Sequence, residues 1–280
     1  MNRIITIQDI SCVGRCSLTV ALPIISAAGI ECCGIPTAVL SNHTGFPQFY
    51  KRDLTDDLSK FADCIKSLGI TFDAIYTGYI ANVSQIDFIE EFIGKFRQKN
   101  APVFVDPVMG DGGKLYSQIT DDYAERMRRL CAEADIITPN LTETALLLGE
   151  AYKGAPDNGE VRGMLKRLCS LGTKAAVITG IPRAGKNGAE IGFIAYDGAD
   201  FYEEFSEKQD LECMGTGDIF ASAMLAAVVR GKGFEKSLKI AAGFTAEAVK
   251  KTADDPERRF YGVNFEQALP TLTELLNNTQ

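Results

Sequence analysis

The 280-residue sequence contains no tryptophan and a single histidine, His43. One imidazole cannot build a zinc site of several histidines, and no Cys-x-x-Cys pair supplies thiolates instead. A Ser-His-Asp hydrolase would have to use His43 as its base, and no Gly-x-Ser-x-Gly elbow accompanies it. Basic excess is lacking too. The 29 Lys and Arg face 37 Asp and Glu, and the net charge of −8 repels nucleic-acid phosphates and anionic lipid. No apolar run approaches the roughly 18 residues needed to span a bilayer. The start, Met1-Asn2-Arg3-Ile4-Ile5, runs into a strand-like segment without a cleavable signal. These absences argue against nucleic acid and membrane as partners and for a cytoplasmic protein. The eight cysteines (Cys12, Cys16, Cys32, Cys33, Cys64, Cys131, Cys169, Cys213) lie scattered through apolar segments, which predicts reduced, mostly buried thiols.

What is present is a regular alternation. Short apolar runs at Ile4–Ile7, Ile35–Leu40, Ala74–Tyr79, Val103–Val105, Ile136–Thr138 and Ala175–Ile178 have the length of buried strands. Helical spacing fills the intervals Ser17–Ala28, Leu54–Ser67, Gln85–Arg97, Asp121–Ala132, Leu141–Leu148 and Val161–Ser170. Such βαβ units predict a three-layer α/β/α fold around a mainly parallel sheet, in one domain over residues 1–280. Glu190–Ala195 and Asp200–Phe205, joined through Tyr196-Asp197-Gly198-Ala199, predict an antiparallel hairpin at one sheet edge. Amphipathic helices are expected at Asp218–Arg230, Phe234–Lys251 and Phe265–Asn277, and surface loops at Lys153–Gly159 and Pro182–Gly188.

Chemistry concentrates in a few turns. In Met214-Gly215-Thr216-Gly217-Asp218, two glycines precede an acid and a helix of small and apolar residues. Glycines allow the N–H groups of Gly215, Thr216 and Gly217 to turn toward one point, where a helix N-terminus adds positive potential, the makings of an anion hole. Asp218 could then take the proton of an attacking hydroxyl, or it could simply cap the helix. Val103-Phe104-Val105-Asp106-Pro107 ends a buried strand in an acid, and Ile136-Ile137-Thr138-Pro139-Asn140-Leu141-Thr142-Glu143 sets Asn140 and Glu143 at a helix start. Ligands of open parallel sheets bind beyond the carboxyl ends of the strands, so Asp106 and Glu143 could organise magnesium near phosphates. A capping acid is the alternative for Glu143. Ser41-Asn42-His43-Thr44-Gly45 and Tyr76-Thr77-Gly78-Tyr79 offer hydroxyl, imidazole and aromatic groups for a small planar heterocycle, and Gly110–Tyr116 could be a lid or an exposed turn.

Gly215-Thr216-Gly217-Asp218 resembles the signature of the ribokinase-like kinases. Together with Ile7-Gln8, Ser41–Gly45, Thr77-Gly78-Tyr79, Asp106-Pro107-Val108-Met109-Gly110 and Thr138-Pro139-Asn140 with Glu143, it makes the chain resemble the pyridoxal kinases. The resemblance implies ATP as donor, Mg²⁺ as cofactor, a monovalent cation (K⁺ or Na⁺) near the phosphates and a homodimer. It implies phosphorylation of the 5′-hydroxymethyl group of a B6 vitamer in salvage. It assigns Asp218 as base, Gly215–Gly217 as anion hole, and Thr44, Tyr79 and neighbouring His43 to the pyridine. Asp106, Thr138 and Glu143 fall to the metal, and Asp106, Asn140 and Thr179 to the nucleotide. One departure is Asp9, where many members carry serine after Ile-Gln. A carboxylate against the ring would favour a cationic amine substituent, as in pyridoxamine. Two alternatives stay open: a hydroxymethylpyrimidine kinase of thiamin synthesis, and a catalytically silent B6-binding protein.

Overall fold

A computed structural model describes all residues except 117–119, 155, 187, 212–213 and 279–280, and residue 121 by its backbone alone. In chain order its elements are β1 (Arg3–Ser11), α1 (Leu18–Ala27), β2 (Glu31–Leu40), β3 (Lys51–Asp53), α2 (Thr55–Ser67), β4 (Ala74–Thr77) and α3 (Val83–Phe96). There follow β5 (Val103–Val105), β6 (Gly110–Asp111), β7 (Lys114–Leu115), α4 (Asp121–Glu133), β8 (Ile136–Ile137), α5 (Leu141–Leu148), α6 (Asn158–Ser170) and β9 (Ala175–Ala184). The chain ends with β10 (Ala189–Tyr196), β11 (Phe201–Glu207), α7 (Thr216–Val229), α8 (Phe234–Ala253), a 3₁₀ turn (Phe265–Ala268) and α9 (Leu269–Asn277). This is the expected α/β fold, with one mixed sheet in the order β11-β10-β9-β8-β5-β4-β1-β2-β3. Pairing is parallel for β1–β2, β5–β8 and β8–β9, and antiparallel for β2–β3, β9–β10 and β10–β11.

The chain divides into two compact units. The first comprises Met1–Ile75, Phe96–Ala101 and Gln209–Gln280. Its core joins Ile4, Ile5 and Ile7 of β1 to Ile24 and Ile25 of α1, Phe244 of α8 and Phe265, each at most 1% exposed. Removing such a side chain from water stabilises by about 1.5–3 kcal/mol. Helix α7 departs from the amphipathic expectation, because Ile219–Ala227 are buried without interruption. Its alanines and serine are small enough for neighbours to pack on every side, including α1 and α8. The segment expected as one helix from Phe265 begins instead as the 3₁₀ turn before α9.

The second unit comprises Tyr76–Lys95 and Pro102–Lys208. Tyr76 and Phe104 meet edge to face at 5.6 Å in its core, beside the buried Val105, Ile137 and Val177. The edge hairpin appears as expected, with Tyr196 paired to Phe201 and the rings stacked at 4.6 Å. The Pro182–Gly188 loop is shorter than expected. Strand β9 continues through Ala184 because Pro182 and Arg183 pair with Ile191 and Glu190 of β10. The cysteine expectation also needs correction. Among the described cysteines only Cys131 is buried; Cys16, Cys32, Cys33 and Cys169 are partly exposed, Cys12 and Cys64 are exposed, and all seven are free thiols. Cys12 and Cys16 lie in the loop between β1 and α1, Cys32 and Cys33 at the half-exposed start of β2, and Cys64 and Cys169 on α2 and α6, so local hydrophobicity overstated their burial. Cys213 lies outside the described residues. Among the described residues no helix is long and apolar enough to cross a membrane.

Candidate active site

In the first unit, β1 delivers Asp9. The β1–β2 register slips by one residue between Gln8, opposite Pro36, and Ile10, opposite Val39. Such irregularities re-aim side chains. Asp9 is 4% exposed, and its Oδ1 has no hydrogen-bond partner among the described residues. Burial raises its pKa, opposed by the Ser17 hydroxyl, its own backbone, Lys51 and the Ser11 hydroxyl. Gln8 is likewise buried: Nε2 donates to Thr6 Oγ1 at 2.6 Å and Oε1 is unpartnered.

Gly215 adopts a left-handed φ of 84° as the residue before α7, leaving the helix without a side-chain cap. Asp218 is therefore not a capping acid. Its Oδ2 accepts a hydrogen bond from the Ser17 N–H at 2.9 Å. Burial pushes its pKa up to about 7, with Asp9 adding to the rise and the Ser17 N–H opposing it. The N–H groups of Gly215, Thr216 and Gly217 find no acceptor among the described residues, as expected at a helix start open to an anion. Cys16 stands beside both acids; burial and then their charges raise its thiol pKa to about 12, keeping it neutral.

His43 is turned inward. Nδ1 accepts the Gly45 N–H at 3.0 Å, which makes Nε2 the protonated nitrogen, donating to the Tyr261 carbonyl at 3.2 Å. Burial lowers its pKa, and its ring packs on Phe46 at 4.9 Å. Both nitrogens are thus engaged by main chain, whereas neighbouring Thr44 is exposed. Sequence reasoning missed the partners Ser17 and Tyr261. No local motif marks either, since each acts through a backbone atom.

In the second unit, Asp106 follows β5 and is 5% exposed. Its N–H donates to the Thr77 carbonyl at 2.9 Å, and its Oδ1 accepts from Thr138 Oγ1 at 3.2 Å. The chain after it forms the β6–β7 hairpin, not a helix. Glu143 is the capping-box acid of α5: Oε2 accepts the Asn140 N–H at 2.8 Å, while Asn140 Oδ1 accepts the Glu143 N–H at 2.9 Å. Glu143 Oε1 takes the Met109 N–H at 3.1 Å. Burial first and the Asp106 charge second hold the Glu143 carboxyl well above its usual range, against these two N–H donors. Asn140 Nδ2 donates to the Gly110 carbonyl at 2.7 Å, and Thr142 Oγ1 accepts the Gly113 N–H at 2.9 Å. In the segment Gly110–Tyr116, expected as a lid or turn, residues 110–115 therefore form a hairpin tied to the first turn of α5. Thr179 is half-buried and bridges to Asn140 through main chain. Tyr79 is half-buried two residues after β4.

Two buried carboxylates that disfavour each other's charge fit a divalent cation. Magnesium commonly takes one or two carboxylates and completes its shell with water and phosphate oxygens. Among the described residues no three His, Cys, Asp and Glu side chains are arranged as an all-protein metal site.

Residues 22–261 match the family described as phosphomethylpyrimidine kinase. In three dimensions the chain is similar to a candidate phosphomethylpyrimidine kinase from Bacteroides thetaiotaomicron, crystallised with pyridoxal. The TM-score is 0.92 and the identity 35%, covering 97% of this chain and 95% of that one. It is also similar to pyridoxal kinase from Lactobacillus plantarum, with TM-score 0.89 and 29% identity over 98% of both chains. Pyridoxal kinase from Ovis aries is 30% identical over 231 residues, 76% of this chain and 72% of that protein.

Proposed function

Since the chain belongs to the phosphomethylpyrimidine kinase family and, within it, to the ribokinase-like pyridoxal kinases, we propose that it phosphorylates the 5′-hydroxymethyl group of a B6 vitamer from ATP. The observation that carries this reading is the state of Asp218: a carboxyl with a pKa of about 7, held through one oxygen at the open N-terminus of α7. A base that titrates near the working pH combines a useful deprotonated fraction with a strong pull on the proton. Asp218 takes the hydroxyl proton as that oxygen attacks the γ-phosphorus. The N–H groups of Gly215, Thr216 and Gly217 stabilise charge on the transferring phosphoryl oxygens.

Asp106, supported by Thr138 and Glu143, would hold Mg²⁺, which neutralises phosphate charge when bound. Glu143 and Asn140 spend their side-chain polar groups on the α5 cap and the hairpin, so they act by holding Met109 and Gly110 in place. Thr179 is proposed to lie beside the nucleotide phosphates. Thr44 and Tyr79 are assigned to the pyridine, and His43 acts by fixing the Ser41–Gly45 turn. Asp9 Oδ1, buried and without a donor among the described residues, suits an N–H donor on the substrate and supports a preference for pyridoxamine.

The match to the phosphomethylpyrimidine kinase family keeps a substituted pyrimidine, tested as hydroxymethylpyrimidine, as a second acceptor. ATP- and Mg²⁺-dependent phosphorylation of pyridoxal, pyridoxamine, pyridoxine and hydroxymethylpyrimidine, run in parallel and read by mass spectrometry, decides between them. A B6 vitamer should have the highest kcat/KM. Preference for the pyrimidine would move the enzyme to thiamin synthesis, and binding without product would make it a silent B6-binding protein.

A further inference from the structure

Ser17 is the one described residue other than glycine with a left-handed φ, 48° with ψ −129°. An L side chain is crowded there, and such a conformation persists only where its surroundings over-determine it. Here they do so from both sides. Upstream, Arg15 donates its N–H to the Tyr261 carbonyl at 3.2 Å and its guanidinium to Glu266 at 2.8 Å and Asn264 at 2.9 Å. Downstream, the N–H groups of Val20 and Ala21 both reach the Ser17 carbonyl as α1 begins. The start of α7 rests on the same loop, since a Cβ on Gly215 would stand 2.2 Å from the Arg15 carbonyl oxygen.

A serine before a helix ordinarily caps it through its hydroxyl. Ser17 makes no such bond with α1. The crowded turn instead aims the Ser17 N–H at Asp218 Oδ2, the one hydrogen bond that this carboxylate makes among the described residues. From these contacts we infer that Ser17 is a positioning residue: its backbone fixes one oxygen of Asp218 so that the other is presented to the acceptor hydroxyl. The hydroxyl proton passes to Oδ1, the freed oxygen bonds to the γ-phosphorus, and the β,γ-bridging oxygen leaves with ADP. The titratable groups facing Asp218 are the Asp9 carboxyl from β1 and the Cys16 thiol from the loop before α1.

This inference rests on the kinase reading, and two variants with two readouts test it separately from that reading. Ser17→Gly keeps the N–H and adopts the turn without crowding. Ser17→Val, β-branched, drives φ negative and withdraws the N–H. Ser17→Gly should stay within about threefold of the parent kcat, whereas Ser17→Val should lose at least about tenfold in kcat with both KM values nearly unchanged. The acid limb of the Ser17→Val rate profile should move to higher pH, because its carboxylate has lost a donor.

Should Ser17→Val fail to fold, an ester in place of the Cys16–Ser17 peptide bond deletes the N–H alone. Synthetic residues 1–31 ligated to recombinant 32–280 at Cys32 provide that chain, and it should reproduce the loss. Carboxyl ¹³C NMR of Asp218 should show the same upward titration shift in Ser17→Val or the ester chain, and none in Ser17→Gly. This readout needs no turnover, so an inactive parent would overturn the kinase reading while leaving the placement of Asp218 measurable. Parent-like kcat and Asp218 titration in the folded chain lacking the N–H, or an equal loss in Ser17→Gly, would overturn the role of Ser17.

Discussion

Asp218 and Ser17 stand 201 positions apart in sequence, and the N–H of one meets the carboxylate of the other at 2.9 Å. The contact joins the start of α7 to the start of α1, helices that pack against each other in the first unit. A carboxylate on a helix start is thereby held by a second helix start, and its proton affinity is set by neighbours that its own motif does not contain.

Asp218→Asn should lower kcat by about 10²–10⁴-fold, the usual share of a general base, with ATP affinity nearly unchanged. Single-turnover kinetics and ATP titration check this, and equal losses in both would remove the base assignment. Stability carries a second signature. The folded pKa of about 7 lies above the ordinary 3.8, so the fold favours the protonated acid, and its stabilising contribution, full below about pH 4, is lost as pH rises toward 7. Asp218→Asn, neutral throughout, should gain in Tm over the parent between pH 5 and pH 8.

Asp9→Ser removes a charge that raises the Asp218 pKa. The acid limb of kcat/KM should move from near pH 7 to lower pH, and the pyridoxamine-to-pyridoxal ratio of kcat/KM should fall. Paired pH profiles on the two vitamers measure both effects. An unchanged ratio would mean that Asp9 does not read the amine.

Asp106→Asn takes away half of the buried carboxylate pair, and the Glu143 pKa should fall toward its ordinary range. The Mg²⁺ concentration for half-maximal rate should rise by about tenfold or more, the size of effect expected when a carboxylate ligand is neutralised, while KM for the vitamer changes little. A magnesium titration of initial rates reads this directly.

Asn140→Ala deletes both the α5 cap and the tether to Gly110. Loss of a cap costs about 1 kcal/mol and loss of a hydrogen bond a similar amount, so urea unfolding should show a loss of about 1–2 kcal/mol. Protection of the Gly113 amide from hydrogen exchange should fall with it. Parent-like protection would mean that the hairpin does not depend on this side chain.

Much of this was written locally. Val103–Val105 and Leu141–Leu148 appear with the bounds that their apolar spacing and flanking turns predict. The spacing of Asn140 and Glu143 left a capping acid open as the alternative to a magnesium-organising one, and a capping box formed. Other features depended on packing. Helix α7 reads as amphipathic until its neighbours close around all its faces, and β9 runs past Ile178 because β10 lies alongside to pair with it. Six of the seven described cysteines escaped full burial, since an apolar neighbourhood in sequence does not say which face of an element meets the core.

The sequence alone determined the alternation of the main strands and helices, the glycine-rich turn before α7 and the acids at the element ends, because periodicity, glycine placement and capping act over a few residues. Tertiary structure decided what those acids are. Asp218 became a carboxyl titrating near 7 only because burial and the nearby Asp9 charge raise its pKa against the Ser17 N–H. His43 became a main-chain anchor only through the Tyr261 carbonyl. Desolvation and hydrogen bonding depend on which atoms surround a group in space, and those atoms come from segments roughly two hundred residues away, beyond the reach of any local pattern.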